Sequence, residues 1–236
     1  MASPTFEIRN LETAEEMASI DTVFQQVWGT VTPIVNVELL CAVAHSGGYV
    51  AAVYEHGRVM GASFGFLGRH RGVEALHSHV TGLLPGIQHA GVGRAVKQHQ
   101  RRWAAERSIA WITWTFDPLI RRNAWFNLGV LGANVADYLV NFYGPMGDSI
   151  NANDETDRLL VAWPTDPAVT PPAPPHGWRL TEVPTPDDIV MLRRTDPAGA
   201  LEWRHRVRRQ LAAPLADGAI VTGFTRHGAY ELHTPA

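Results

Sequence analysis

The chain has 236 residues, long enough for one domain plus an appendage, with 20 Lys and Arg against 23 Asp and Glu and a net charge of −3. That balance leaves no basic excess to neutralise a phosphate backbone, which argues against nucleic acid as a partner. The single cysteine, Cys41, cannot form an internal disulfide and lies in the apolar run LLCAVA, where a small buried hydrophobe is the simplest reading. Neither a basic segment leading into an apolar stretch at the start nor a run of ~18 uncharged apolar residues occurs, so a soluble cytoplasmic protein without membrane contact is expected.

In chain order, TFEIRNL reads as a strand and TAEEMASIDTVFQQVWG as a helix, with Met17, Ile20, Val23, Phe24 and Val27 at helical spacing. GYVAAVYEH and RVMGASFGFLG flank His56-Gly57 and predict a hairpin, and EALHSHVTGLLP continues the meander to Pro85. GIQHAGVGRAVK (86–97) then leads into a helix running to about Arg107. After it come a strand (IAWITWTFD), a helix (RNAWFNLGVLG), a strand (VADYLVNFYG), a loop and a strand (DRLLVAWP). Between Pro164 and Pro175 prolines recur every few residues and predict an extended linker. Beyond it WRLTEV reads as a strand, two helical segments follow, and AIVTGFTR with AYELHT forms a hairpin across His227-Gly228.

The segment Gln88 to Gly93 combines glycines, a preceding strand and a following helix N-terminus, which together make a phosphate-binding turn. A close-packed strand-to-helix connection is the alternative from the glycines alone. It lacks the Gly-Lys-Ser/Thr end of the Walker loop and the third glycine of the dinucleotide fingerprint. On EALHSHVTGLL the period of two places His77, His79, Thr81 and Leu83 on one face. A His-x-His pair serves as a base, a structural hydrogen-bonding pair, or two ligands of a metal that would need others from elsewhere.

Gln88-His89-Ala90-Gly91-Val92-Gly93 matches the Gln/Arg-x-x-Gly-x-Gly/Ala loop, and the order of elements around it resembles that of the GCN5-related N-acetyltransferase (GNAT) superfamily over residues 5–163. The end of the helix, Ala124 through Leu131-Gly132-Ala133, resembles that fold's Ala-x-x-x-Tyr-x-x-Leu-Gly-Phe. The resemblance implies an α/β GNAT fold, a mixed central β-sheet flanked by helices, as an acyl-CoA-binding domain over 5–163. A linker at 164–176 and a small α+β extension at 177–236 complete the chain. It implies that acetyl-CoA or another acyl-CoA is the co-substrate and a small amine the acceptor.

By the same resemblance the pyrophosphate rests on amides of His89, Ala90, Gly91, Val92, Gly93 and Arg94 beside Gln88. The pantetheine arm pairs with Leu83 and Leu84, in a cleft where two parallel strands part. His77, eleven residues before Gln88, takes the place of the catalytic base, with His79 as second candidate. Leu128 stands where the family's acid is a tyrosine, so Tyr138 or Tyr143 supplies the hydroxyl, the thiolate leaves unaided, or the domain only binds acyl-CoA. Asn123 and Phe126 are expected against the cofactor. Trp114, Phe116, Asp117 and Arg121 are expected near the substrate, with core packing the alternative for the two aromatics.

Trp-Thr-Phe-Asp-Pro, Arg-Asn-Ala-x-Phe-Asn, Asn-Phe-Tyr-Gly and Thr-Asp-Arg-Leu resemble a bacterial subgroup with a C-terminal extension, some of whose members are linked to amino-acid N-acylation, succinyl transfer included. The extension has three candidate roles: a lid, a sheet extension, or an element of a homodimer. In its helix LEWRHRVRRQL the residues Arg204, Arg206, Arg208 and Arg209 are read as an exposed face, or as the receiver of a phosphate or an acidic acyl group.

Overall fold

A computed structural model describes residues 6–87, 91–144, 146 and 154–236. The chain forms two compact units, Met1–Thr113 and Trp114–Ala236, which meet inside one strand.

In the first unit, β1 (Phe6–Asn10) leads to α1 (Ala14–Trp28). Thr13 caps α1 through a capping box with Glu16, so two otherwise orphaned N–H groups are satisfied where the apolar stripe begins. Met17, Ile20 and Phe24 of that stripe are buried against Val50, Ala52 and Phe64 of the sheet. A second helix, α2 (Val37–His45), was not expected. It starts at Asn36, whose side chain accepts from Leu39 N–H at 3.0 Å. Cys41 lies on it half-buried, less enclosed than its apolar neighbours imply.

Strands β2 (Tyr49–Glu55), β3 (Arg58–His70) and β4 (Val73–Leu83) form the antiparallel meander, with β1 on the outer side of β2. After it comes α3 (Val92–Ala105), whose Val92 and Val96 pack with Val53 and Ile87 on the face opposite α1 and α2. Then β5 (Trp111–Phe116) pairs parallel with β4: Ala75, Leu76 and His77 face Trp111, Ile112 and Thr113. The sheet is therefore mixed, with helices on both faces.

In the second unit β5 neighbours β7 (Arg158–Pro164), which pairs antiparallel with β6 (Asn134–Leu139). Between β5 and β6 lie α4 (Arg121–Ala124) and a π-helical turn, Trp125–Val130. Residues 165–178 carry neither helix nor strand. A separate three-stranded sheet has the order β8 (Arg179–Pro184), β10 (Ala229–Thr234), β9 (Ile220–Phe224). Helices α5 (Ile189–Thr195) and α6 (Pro197–Ala216) precede that hairpin. No described helix is long and apolar enough to cross a membrane.

Candidate active site

The centre of the first unit's site is an irregularity in β4. Phe64 faces Val80 while its neighbour Gly65 faces Ser78, so His79 is the extra residue of a β-bulge. A bulge breaks the period of two. His77 and His79 keep to the α1 and α2 side, where their rings lie 6.2 Å apart against Phe66, 5.2 and 5.6 Å away. Thr81 and Leu83, expected beside them, turn to the α3 side. Thr81 Oγ1 is 2.7 Å from Ser63 Oγ, which Gln100 of α3 also reaches, and Leu83 packs with Val92 and Val96. Val80 and Gly82 take the places vacated toward α1: a Cβ on Gly82 would lie 2.8 Å from the Trp28 ring.

The parallel pairing of β4 ends at His77, one residue before the bulge pair. His77 Nδ1 lies 3.0 Å from Thr113 Oγ1, the last paired position of β5. Burial, reinforced by His79 and Lys97, brings the His77 imidazole down to about 4. Burial also lowers His79. His77 is thus neutral at physiological pH, and its service as a full proton acceptor near neutrality, the simplest expectation from an unperturbed imidazole, is replaced by that of a neutral hydrogen-bonding group.

The first turn of α3 carries features that suit an anion. Gly91 caps the helix in the left-handed region (φ 73°), and among the described residues no atom lies within 4 Å of where a Cβ would sit. No acidic residue occupies the first turn, which holds Val92, Gly93 and Arg94, so the helix's partial positive charge is not cancelled there. Gln88, His89 and Ala90 lie outside the described residues. At the end of β4, Leu84 N–H donates to Met60 C=O at 2.9 Å and Leu84 C=O accepts from Ile87 N–H at 3.4 Å. The main chain of Leu84 is committed to the hairpin and the turn, which removes its amide as a pairing group.

The second unit holds the remaining sequence-selected residues in mostly structural surroundings. Trp114 and Phe116 are buried, and Trp114 Nε1 donates to Asn127 Oδ1 at 3.1 Å. Asp117 lies 4 % exposed between two arginines: Arg204 donates to both its oxygens at 2.8 and 2.9 Å, and Arg193 adds a bond of 2.5 Å. The same guanidinium groups reach Asp154 at 2.9 Å. Burial would raise the Asp117 carboxyl, but Arg204 and Arg193 hold it well below the usual carboxylate range. Arg121 bonds Thr185 and Asp187, so neither it nor Asp117 presents an uncommitted charge to a substrate.

Arg204, read as part of an exposed arginine face, is fully buried, and Arg208 bonds Asp157 and Glu155. Tyr138 donates its hydroxyl to Asp157 at 2.6 Å, and burial, reinforced by that carboxylate, raises its pKa above the ordinary tyrosine value. Tyr143 keeps a surface position with its hydroxyl 3.0 Å from Thr115 Oγ1. Leu128 is buried, and Asn123 and Phe126 are half-buried on α4 and the π-helical turn.

No family model matches the chain, and no curated protein does. Solved structures match it across nearly their whole length. The ribosomal-protein-S5-alanine acetyltransferase of Vibrio fischeri superposes with a TM-score of 0.55 at 14% identity, over 71% of this chain and 97% of that one. For the ribosomal-protein-S18-alanine N-acetyltransferase of Escherichia coli the values are 0.53, 18%, 70% and 96%. A GNAT family acetyltransferase from Elizabethkingia anophelis, with acetyl-CoA bound, gives 0.51, 13%, 69% and 99%. The chain has the GNAT fold. About three tenths of it lies outside each superposition, so the GNAT fold here carries additional structure.

Within this GNAT fold, one group of residues escaped the sequence reading. On the α3 side of the bulge, Lys97 Nζ donates to Ser78 Oγ at 2.9 Å, and Gln100 Nε2 donates to Ser78 Oγ at 3.0 Å and Ser63 Oγ at 2.9 Å. Ser63 Oγ in turn lies 3.0 Å from Val80 C=O, so α3 side chains and Ser63 support both ends of the bulged segment. Burial lowers Lys97 to about 7. The i, i+3 spacing of Lys97 and Gln100 places both on one helix face, but only the bulge brings Ser78 under them. Among the described residues no group of three His, Cys, Asp or Glu could hold a metal ion.

Proposed function

We propose that the protein is an acyl-CoA-dependent N-acyltransferase. It transfers acetyl or another small acyl group, succinyl included, to the amine of a small molecule such as an amino acid, by direct attack in a ternary complex. One observation carries this reading: in a GNAT fold, β4 leaves its parallel neighbour at His77, bulges at His79 and runs to a glycine-capped helix N-terminus. A parted strand offers main-chain groups to an amide-bearing arm, and the turn at Gly91, Val92, Gly93 and Arg94 offers N–H groups to a pyrophosphate. The acyl-CoA thioester supplies an activated acyl carbon with a good leaving group.

The amine nitrogen bonds to the acyl carbon as the carbon–sulfur bond breaks, and the proton lost from nitrogen is balanced by the one that completes the thiol. The chain's part is to orient a neutral amine. In the tautomer that donates from Nδ1 to Thr113 Oγ1, His77 presents the Nε2 lone pair as acceptor, fixed by Thr113 and by the Phe66 ring. A base with a pKa of about 4 does not strip an alkylammonium ion, so the ammonium's proton is shed to water before or during binding.

A second reading, a non-catalytic acyl-CoA sensor, is favoured by buried Leu128 at the position of the family's acid. Steady-state thiol release over several acyl-CoAs and an amine panel separates the two. Amine-dependent release supports transfer, and tight acyl-CoA binding without release on any pair supports the sensor.

A further inference from the structure

Between α2 and β3 is an open groove of about 290 Å³ that shares Phe66 with the imidazole pair. Its walls are Leu39, Ala42, Val43 and Ser46 on one side and Phe66 and Leu67 on the other. None of the described residues bordering it is charged, and Ser46 is the polar side chain among them. Leu39, Phe66 and Leu67 are 51%, 41% and 37% exposed, an apolar surface at a concavity and not a packed core.

Phe66 joins the groove to the site. It faces His77 across β3 and β4, and its ring packs on both imidazoles. A molecule whose amine meets His77 would therefore lay whatever that amine carries along Phe66 toward Leu39 and Ala42. From this we infer that the groove takes the acceptor's side group and that this group is uncharged and apolar, aliphatic or aryl. The inference rests on the acyltransferase reading for its chemistry, but not for the binding itself.

Size and polarity both support it. A cavity of ~150 Å³ lined by aliphatic and aromatic side chains is enough for benzene, so about 290 Å³ has room for an arylalkyl group. A carboxylate or ammonium entering it would lose water and find, among the described residues that border it, Ser46 alone as a side-chain hydrogen-bonding partner. The acceptor class this selects is an arylalkylamine, or an amino acid or short peptide with an apolar side chain at its amino end. Polyamines and polyhydroxylated amines are disfavoured.

The test uses the full chain, acetyl-CoA, and phenethylamine and isoamylamine against ethanolamine and putrescine. Phenethylamine is expected to have a KM about tenfold or more below that of ethanolamine. Ala42→Phe, which fills the groove, raises that KM about tenfold and leaves the KM of acetyl-CoA and amine-independent hydrolysis unchanged. Leu39→Asp, at a half-exposed position that tolerates a polar side chain, does the same and favours putrescine.

A wild-type preference for ethanolamine or putrescine, or KM values unmoved by both variants, overturns the inference. So does an effect of the variants on acyl-chain preference or on oligomeric state in place of amine KM. Calorimetric titration of phenethylamine into wild type and variants decides the case without turnover: binding that Ala42→Phe abolishes keeps the groove assignment even where acyl transfer fails, and no binding to wild type overturns it.

Discussion

His77 Nδ1 lies 3.0 Å from Thr113 Oγ1 at the last position where β4 and β5 pair, immediately before the bulge at His79. The hydroxyl therefore fixes the imidazole at the point where the strands' pairing stops. A ring held there, buried and beside His79 and Lys97, is neutral down to about pH 4.

The first prediction follows from that neutrality. In an NMR titration the His77 ring shows no protonation midpoint between pH 8 and 5. Its folded pKa is depressed below the unfolded value of ~6.5, so the stability it contributes is complete above the unfolded value and is lost as pH falls toward about 4. A midpoint near the unperturbed histidine value contradicts this. Catalytically, His77→Gln, which retains an acceptor, is expected to keep more activity than His77→Ala, with no change in the pH profile above neutrality.

Lys97 yields a second. Its folded pKa of about 7 is below that of the unfolded chain, so the folded state gains stability relative to the unfolded one as pH rises from about 7 toward the ordinary lysine range. Lys97→Met removes the desolvated ammonium. Urea denaturation should find the variant more stable than wild type at pH 6, with the advantage falling by a few kcal/mol by pH 10, at about 1.4 kcal/mol per unit of pKa shift. An advantage independent of pH refutes a buried, titrating lysine.

The third concerns the charge network of the second unit. Arg204→Met removes the guanidinium that bonds both Asp117 and Asp154 and should cost about 3–5 kcal/mol in urea denaturation. Since the Asp117 carboxyl is held below its unfolded pKa, its contribution is present above the ordinary carboxylate range and lost on acidification through the lower folded value. Arg204→Met should therefore flatten the acid side of the stability curve. A loss under about 1 kcal/mol would mean that the network behaves as a surface pair does.

At the turn into α3, Gly91→Val forces a β-branched residue to φ 73°. The backbone conformation alone costs about 1–2 kcal/mol. The strain is expected to displace the amides of the turn and lower coenzyme A affinity about tenfold, read by calorimetry. Unchanged affinity would place the pyrophosphate elsewhere.

The legible parts of the sequence were those written in local pattern. Thr13 and Glu16 mark a helix start whether or not the rest of the fold is known, and His56-Gly57 closes a hairpin. Helix α2 was hidden because VELLCAVAH is short and nearly continuous in apolar residues, without a clear stripe. The bulge left no mark in the alternation of EALHSHVTGLL, so the face assigned to Thr81 and Leu83 was inverted while that of His77 and His79 stood.

Arg204 shows a different limit. Its partners are Asp117 and Asp154, 87 and 50 residues away, and no helical periodicity distinguishes an arginine bound to distant carboxylates from one in solvent. The Lys97 and Gln100 cluster was invisible for the same reason, since Ser63 and Ser78 come beneath α3 only through the register of β3 and β4.

The central claim is acyl transfer to an amine, and its most direct measurement follows an isotopically labelled acetyl group from acetyl-CoA with phenethylamine as acceptor. Label is expected in the N-acetyl amide, equimolar with the thiol released and dependent on the amine. Label that stays on coenzyme A, or appears only as free acetate at the same rate with and without every amine tried, would contradict it.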